Sequence, residues 1–586
     1  MQISYKKAGL EHTLISLNVV AGVAVVATFI ALFGFYESLA KPDILYRVQV
    51  GLLCFFLGEK VLRAINAVSI WEFWKANWFE IPLLVIPVLV LLGAEFEGGW
   101  HFPVGLYLVL QVISKACRTI VHLLAVGKDP MRIFIASFLL LILAGAGSLC
   151  LPRATVSRNN ITRVDALFTA TSAACVTGLT VKDTGGDFTL MGQIVILLLI
   201  QLGGLGIVLF GAVFAMLFGQ AFSIRESVAM QDLLSANTLN RITPLIAFVF
   251  ASTMVIEAIG ALGLVNMWDN DPAWIGSVPQ EWFLSIFHSV SAFCNAGLSL
   301  CKNNLVGYRQ SWQVYGVICP LIVLGGLGFG VLYNLGGVVV DRVRRSVKWV
   351  CDRNCRLMLG PAKPVSLQTK IAVVVSAILI VSGMVGILVF ERYTSGSGVA
   401  KGIPDAFFQS VTARTAGFNT VDIEALTGSS KFVLILLMLI GGSPGGTAGG
   451  IKTVTMAVVV MAVIGTLHRR GEVQMFRRSI RVAFVNRALA VVMVYGAVFF
   501  VGVLGLTITE GNRDLPFLDV MFEAASALGT VGLSTGITSA LSTGGKLILI
   551  ALMLAGRLGP LSLAAALTFD TRRARYTYPQ EAITVG

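Results

Sequence analysis

The stretch Phe168–Thr180, FTATSAACVTGLT, occurs in four versions along this chain. Its counterparts are Phe287–Ser299 (FHSVSAFCNAGLS), Phe407–Asn419 (FFQSVTARTAGFN) and Phe522–Ser534 (FEAASALGTVGLS). Each sets a Phe ten residues before a glycine, then Leu or Phe, then Thr, Ser or Asn. The glycines, Gly178, Gly297, Gly417 and Gly532, are separated by 119, 120 and 115 residues. One such stretch reads as an apolar helix closed by a C-terminal glycine. Four at a near-constant period point to four like units built by internal repetition.

The flanks say where those units sit. Apolar first helices are expected near 131–151, 244–266, 369–391 and 485–508, and second helices near 190–217, 312–338, 431–465 and 544–568. Each approaches or exceeds the ~20 residues that cross a bilayer. The Phe…Gly stretch supplies about ten helical residues, too few for a ~30 Å hydrocarbon layer, so it enters and turns back. Backbone at that depth has to line a water-filled cavity. With 56% hydrophobic and only 13% charged residues, against roughly 25% charged in a soluble domain, the chain is excluded from the ordinary soluble class.

Four more apolar segments, near 13–36, 46–66, 79–94 and 102–126, precede the first unit. The one after Lys6 and Lys7 is long, lacks a small-residue cleavage site and is followed by further spans, so it reads as a retained helix. The expected fold is an all-α polytopic membrane protein of about twelve spans. It divides into an N-terminal four-helix block (1–130), units at 131–243, 244–366, 367–483 and 484–570, and a C-terminal tail (571–586).

The net charge of +13 fits the cytoplasmic excess of Lys and Arg in polytopic proteins better than a nucleic-acid surface. Between the units lie Arg225 and Arg241, then Arg342, Arg344, Arg345, Lys348, Arg353 and Arg356, then Arg469, Arg470, Arg477, Arg478, Arg481 and Arg487, with Arg572, Arg573 and Arg575 in the tail. Both termini are therefore expected in the cytoplasm, with the glycine stretches dipping in from outside. Most of the nine cysteines lie in apolar runs as packing residues. Cys351 and Cys355 have no second Cys/His pair to complete a zinc site.

Within the N-terminal block, Phe55–Ile65 and Trp71–Ile86 resemble the second and third helices of a voltage-sensor domain, with Glu59 and Glu80 as the carboxylates. The fourth segment offers only Lys115, Arg118 and His122. Each charge moved through 100 mV contributes ~2.3 kcal/mol, so steep voltage dependence is not expected. The block reads as a helical bundle packed beside the rest.

A pore that strips water from a cation replaces the lost oxygens with backbone carbonyls, and glycine reaches the torsions this needs without a Cβ penalty. Short helices ending at the same place turn their negative ends toward the cation. The candidate filter residues are Val176, Thr177, Gly178 and Leu179; Asn295, Ala296, Gly297 and Leu298; Thr415, Ala416, Gly417 and Phe418; and Thr530, Val531, Gly532 and Leu533. They include no carboxylate ring of the kind a divalent-cation filter uses. Below them, GGSPGGTAGGIK (Gly441–Lys452) interrupts the third second-helix. Seven of its twelve residues are Gly or Pro, at about 1 and 3 kcal/mol each in a helix, so Gly441, Gly442, Gly445, Gly446, Gly449 and Gly450 are read as a flexible gate, with a packing role for the glycines as the alternative. Lys452, and Arg557 in AGRLGPLSL, are cations in apolar surroundings. Such residues commonly face an internal pathway, and snorkelling is the alternative. Arg557 is read either as an electrostatic barrier or as the partner of a loop carbonyl.

These stretches, with GGSPGGTAGGIKT (Gly441–Thr453), ARTAGFNT (Ala413–Thr420) and AGRLGPLS (Ala555–Ser562), resemble the Trk/Ktr/HKT superfamily of potassium transporters over about 131–586, and within it the KtrB-type membrane subunits. The ending YTYPQEAITVG (Tyr576–Gly586) resembles the KtrB tail, which packs at the dimer interface in that family. The resemblance implies K+ as the transported ion, Na+ as an activator, and a homodimer with one pore per protomer. It also implies a cytoplasmic KtrA-like RCK ring that binds ATP or ADP, so nucleotide sits only on the partner. By the same resemblance Gly178, Gly297, Gly417 and Gly532 are filter glycines, Gly441–Gly450 is the gate loop and Arg557 the barrier arginine. Sodium-preferring plant relatives carry serine at the first glycine, and four glycines favour potassium. The departure is residues 1–130, which ordinary KtrB lacks. The rival readings are a Na+-selective or Na+/K+-coupled carrier of the same superfamily and a polytopic membrane enzyme, for which the spans offer no nucleophile–base or metal-ligand constellation.

Overall fold

The computed structural model describes residues 8–69, 71, 103–105, 107–112, 115, 130–156, 161–206, 242–268, 278–351, 362–394, 402–469 and 472–559. The expected segment 79–94, Glu80, Arg118, His122, Cys355 and the tail Tyr576–Gly586 lie outside the described residues.

Helices α1 (Ala8–Phe33) and α2 (Pro42–Asn66) open the described chain. Glu59 on α2 accepts from Asn18 Nδ2 on α1 at 2.8 Å and pairs with Arg63 at 2.7 Å and Lys115 at 3.3 Å. The Lys115 ammonium lies 4.2 Å from the Phe56 ring centroid. A carboxylate in an apolar bundle is costly unless paired and hydrogen-bonded, and this cluster meets that need. The block joins the remainder through Arg153 N to Gly34 O at 3.2 Å and Tyr36 Oη to Thr155 O at 3.0 Å.

The rest of the chain repeats an order of long helix, short helix and second helix. First come α3 (Pro130–Leu149), α4 (Arg163–Ala174) and α5 (Leu190–Leu205). Then come α6 (Ile242–Leu264), α7 (Val278–Phe293), a π-helical turn (Val314–Ile318), α8 (Cys319–Leu327) and α9 (Phe329–Cys351). The third group is α10 (Leu367–Thr394), α11 (Ile403–Thr412), α12 (Gly428–Leu439) and α13 (Thr453–Leu467). After a small antiparallel hairpin, β1 (Val473–Met475) and β2 (Arg478–Ile480), come α14 (Val482–Thr509), α15 (Phe517–Gly529) and α16 (Thr543–Leu558). The first helices fall where the apolar pattern places them. Thr189, Thr427 and Ser542 cap α5, α12 and α16 by accepting a backbone N–H.

Among the described residues, four helices are long and apolar enough to cross a membrane, at Ser16–Phe33, Pro244–Met267, Leu367–Tyr393 and Val482–Thr509, and the bent pair Val314–Leu327 and Phe329–Val347 makes a fifth if it is one span. Only 17% of the window in α10 is buried, and Val374, Ile378, Val381, Val385 and Val389 are exposed along it. An apolar surface of that length does not stay bare in water, so its surroundings are lipid. The interior is small and hydroxylated instead. Thr171, Ser172, Ser291, Ser410, Thr412 and Ser526 on the short helices are fully buried.

The second helices correct one expectation. They were expected to run unbroken except in the third unit, yet in the first, second and fourth the helix stops at a glycine. Helix α5 stops before Gly206 (φ 83°), α8 before Gly328 (φ 86°) and α16 before Gly559 (φ 83°). Helix α9 then leaves α8 at 104°. The helices stop where these glycines take the left-handed torsion, three residues after a close approach to a neighbouring helix. A Cβ on Gly203, Gly325 or Gly556 would overlap the carbonyl oxygen of Ala174, Phe293 or Leu528, at the C-terminus of the neighbouring short helix. Only glycine permits that approach. The signal in the sequence is the shared pattern GGLG, GGLG and GRLG at Gly203–Gly206, Gly325–Gly328 and Gly556–Gly559.

Candidate functional site

The short helices bring the four sequence-marked glycines together. Gly178, Gly297, Gly417 and Gly532 all have positive φ, at 95°, 67°, 81° and 92°. A Cβ on Gly297 would lie 2.5 Å from Ala416 O and 2.7 Å from Gly417 Cα, and one on Gly417 would lie 2.5 Å from Val531 O and 3.2 Å from Gly532 Cα. On Gly532 it would overlap Thr177 O beside Gly178 Cα, and on Gly178 it would overlap Ala296 O beside Gly297 Cα. The succession closes on itself, and each glycine abuts the carbonyl just before the next one. Residues more than a hundred positions apart thus form one ring of backbone, with no room for a side chain.

Two residues before each glycine a second left-handed residue appears, at Val176 (φ 56°), Asn295 (60°), Thr415 (73°) and Thr530 (50°). Holding a Cβ-bearing residue there costs about 1–2 kcal/mol each, so the surroundings must fix it. Thr177 N, Ala296 N and Val531 N donate to the carbonyls of Ser172, Ser291 and Ser526 at 2.7–2.8 Å, and Ala416 N donates to Thr412 O at 2.9 Å. The hydroxyls add a second clamp. Ser172 and Ser526 accept from Gly178 N and Gly532 N at 3.1 and 3.0 Å. Ser291 and Thr412 donate to Leu298 O and Phe418 O at 2.8 and 2.6 Å. The side chains of Leu179, Leu298, Phe418 and Leu533 pack into the apolar cores behind the ring. The buried hydroxyls of Thr177, Thr415 and Thr530 have no hydrogen-bond partner among the described residues, which leaves their oxygens available to a ligand.

Outside the ring opens a cavity of about 650 Å³, lined by the glycines, by Thr180, Ser299, Asn419 and Ser534, and by Lys182, Asp183, Lys302 and Asp422. Three ion pairs tie neighbouring helix groups together. Asp165 on α4 pairs with Lys546 on α16 at 2.8 Å, Asp405 on α11 with Arg309 (Nε to Oδ1 2.7 Å), and Asp519 on α15 with Lys431 on α12 at 3.0 Å. Each aspartate also lies in the first turn of its short helix, where the helix dipole favours an anion. The hydrogen bonds it donates to the Asp405 carboxylate hold the Arg309 guanidinium above its ordinary pKa. Sequence reasoning missed this framework. Its one trace is an acid in the first turn of every short helix, an aspartate in three and Glu281 in α7.

Inside the ring lies the Gly441–Lys452 loop. Its ends are pinned together by Gly441 N to Ile451 O and Ile451 N to Leu439 O, both 3.0 Å. Gly445 and Gly450 have φ of 74° and 68°. Ser443 N donates to Gly326 O at 2.8 Å, and Thr447 Oγ1 to Phe293 O at 3.3 Å. A Cβ on Gly449 would lie 3.0 Å from Gly529 O and overlap the Thr530 hydroxyl, so the loop reaches the ring itself. Of the two readings of Arg557, the structure displays the pairing with a loop carbonyl. Its guanidinium donates to Thr447 O and to Gly203 O, and to Gly204 O at 3.1 Å. Lys452 Nζ donates to Ala448 O at 2.6 Å. A further cation that sequence reasoning passed over, the buried Arg414, donates to Gly441 O at 3.0 Å. Its signal was a lone arginine three residues before Gly417, where the other stretches carry Cys175, Cys294 and Gly529.

With this geometry in place, comparison with known proteins is specific. A family model described as TrkH, cation transport protein, matches residues 124–572. The chain is 36% identical over 461 residues to the Ktr system potassium uptake protein B of Bacillus subtilis, covering 78% of this chain and 97% of the relative. It is 37% identical over 466 residues to the protein of the same name from Vibrio alginolyticus, covering 79% and 96%. To the potassium/sodium uptake protein NtpJ of Enterococcus hirae it is 33% identical over 466 residues, covering 78% and 97%. The crystal structure of the potassium transporter TrkH from Vibrio parahaemolyticus superposes with a TM-score of 0.58 at 19% identity, over 84% of this chain and 96% of that one. At that identity the likeness concerns the fold alone. Residues 1–123 lie outside the family match.

Proposed function

This chain belongs to the TrkH family of cation transport proteins, and on that premise we propose that it takes up potassium across the cell membrane as a multi-pass protein. The observation that carries the reading is the closed succession Gly178, Gly297, Gly417, Gly532, in which every glycine abuts the carbonyl before the next. Four short helices aim their negative ends at this ring. Oxygen dipoles replace the water a K+ ion sheds on entry, and the membrane potential draws the ion inward.

In this reading the residues at 176–179, 295–298, 415–418 and 530–533 are the filter of four tandem units. The units have the boundaries given above, among about twelve spans with both termini in the cytoplasm. The Gly441–Lys452 loop is the gate directly beneath, and Arg557, Arg414 and Lys452 hold it shut through its carbonyls. The protein works as a homodimer on a cytoplasmic KtrA-like RCK ring, whose ATP or ADP state biases the loop, with Na+ as activator. The relatives named for the Ktr system support a multi-subunit assembly. The matched relatives are named for ion uptake rather than for an enzymatic reaction, and we assign no catalytic step.

A Na+/K+-coupled mechanism is the second reading, favoured by the name of the NtpJ relative. Tracer uptake in a K+-auxotrophic bacterium, with and without residues 1–130 and a co-expressed RCK subunit, tests the proposal. Growth at low K+ and K+ flux are expected. Flux that requires Na+ in fixed ratio to K+ would favour the carrier instead, and absence of K+ flux would refute uptake.

A further inference from the structure

The three cations around the Gly441–Lys452 loop differ in what they bond. Arg557 gives its donors to three carbonyls, and Lys452 reaches Ala448 O. Arg414 has a single acceptor among the described residues, Gly441 O at 3.0 Å from Nη2. A guanidinium carries five N–H donors, and the enclosed Nε of Arg414 has no partner. The residue is only 7% exposed. Lys546, Arg309 and Lys431 each sit on an aspartate, whereas no carboxylate among the described residues pairs with Arg414.

A cavity of about 20 Å³ adjoins this arginine. Ile322 on α8, Ser376 and Ile380 on α10, Val411 on α11 and Gly442 of the loop share its wall with Arg414. The Ser376 hydroxyl, on a residue 7% exposed, makes no hydrogen bond to a described residue. Two donor-bearing side chains with unused N–H and O–H groups thus border one small space that is otherwise apolar. An ionised group in such surroundings is costly unless it is both paired and hydrogen-bonded. A water would accept from the donors and leave the charge, whereas an anion answers both needs. A single water needs about 10–15 Å³, so the space suits one small ion and is too small for a phosphate or an organic carboxylate.

We propose that this cavity is a binding site for a small monovalent anion of chloride size, held by the Arg414 guanidinium and the Ser376 hydroxyl. The anion neutralises the buried guanidinium and leaves Nη2 on Gly441 O. It thereby braces the first residue of the loop against α8 and α10. None of the four ring glycines lines the cavity, so the site is separate from the proposed cation filter.

The test is thermal unfolding of the detergent-purified full chain at constant K+ and ionic strength, as gluconate, too large for the cavity, is exchanged for chloride. A ligand of the folded state stabilises it by mass action, so the wild type is expected to gain about 2–4 °C in a saturable way. Ser376→Ala removes one hydrogen bond to a charge and should raise the half-saturating chloride concentration about tenfold. In Arg414→Gln the chloride response is expected to vanish, and S376A reports by itself if R414Q fails to fold. Crystals grown in bromide should show an anomalous-scattering peak within hydrogen-bond reach of the Arg414 guanidinium. A wild-type unfolding temperature indifferent to chloride, as a bound water alone would give, overturns the proposal. So does a saturable response that S376A leaves unchanged, or a bromide crystal without a peak at the cavity. Unfolding is read without transport, so absence of K+ flux would count against the uptake reading and not against this site.

Discussion

Replacing Gly178 with serine is the sharpest test of the ring. The residue has φ 95°, where a side chain costs about 1–3 kcal/mol. The new Cβ would overlap Ala296 O and lie 3.3 Å from Gly297 Cα. Both are backbone atoms, so no rotamer change relieves the overlap and the carbonyl before Gly297 has to shift. That carbonyl is one of the four the proposed filter presents. The ring's preference for its original geometry falls by the strain that the shift releases, and 1.4 kcal/mol is a factor of ten. The K+/Na+ permeability ratio of G178S is therefore expected to fall about tenfold, measured from reversal potentials under bi-ionic conditions or from paired tracer uptake. The control is Gly330→Ser, at an exposed helical glycine with nothing within 4 Å of the added Cβ, and its ratio is expected to match the wild type. A G178S protein that assembles normally and keeps the wild-type ratio would refute the argument.

Three other outcomes are expected. Deleting Gly442–Gly449 removes the segment that reaches Gly529 O and should raise K+ flux, whereas a folded but silent transporter would count against a gate there. Arg557→Gln loses charge-assisted bonds to Thr447 O and to the Gly203 and Gly204 carbonyls, each about 1.5–3 kcal/mol. Flux without the RCK partner should rise, and Arg414→Gln, which frees Gly441 O, should act in the same direction, both read by tracer uptake. Asp165→Asn leaves the half-buried Lys546 ammonium without its partner and should destabilise by about 1–3 kcal/mol, while an apolar double replacement of Asp165 and Lys546 should cost less. Thermal unfolding in detergent compares them.

The sequence alone determined what is local or periodic. The four Phe…Gly stretches, the long helices before them and the Gly441–Lys452 interruption were legible, because helix length, apolar runs and the need for glycine at positive φ are written within a few residues. The stops after Leu205, Leu327 and Leu558 carry two demands in GGLG and GRLG: the last glycine takes a positive φ, and the first meets a distant carbonyl that no local rule reveals. Only the tertiary structure decided who meets whom. That Gly532 abuts Thr177 O, that Arg557 holds Thr447 O, and that Lys546 neutralises Asp165 are facts between residues 110 to 381 positions apart. No spacing rule encodes them, since they arise when four helix groups close around one axis. The left-handed Val176, Asn295, Thr415 and Thr530 belong with these. Asn295 alone is of a type that visits this torsion readily, and Val176, Thr415 and Thr530 hold it because the ring and its serine and threonine clamps leave the backbone no other path.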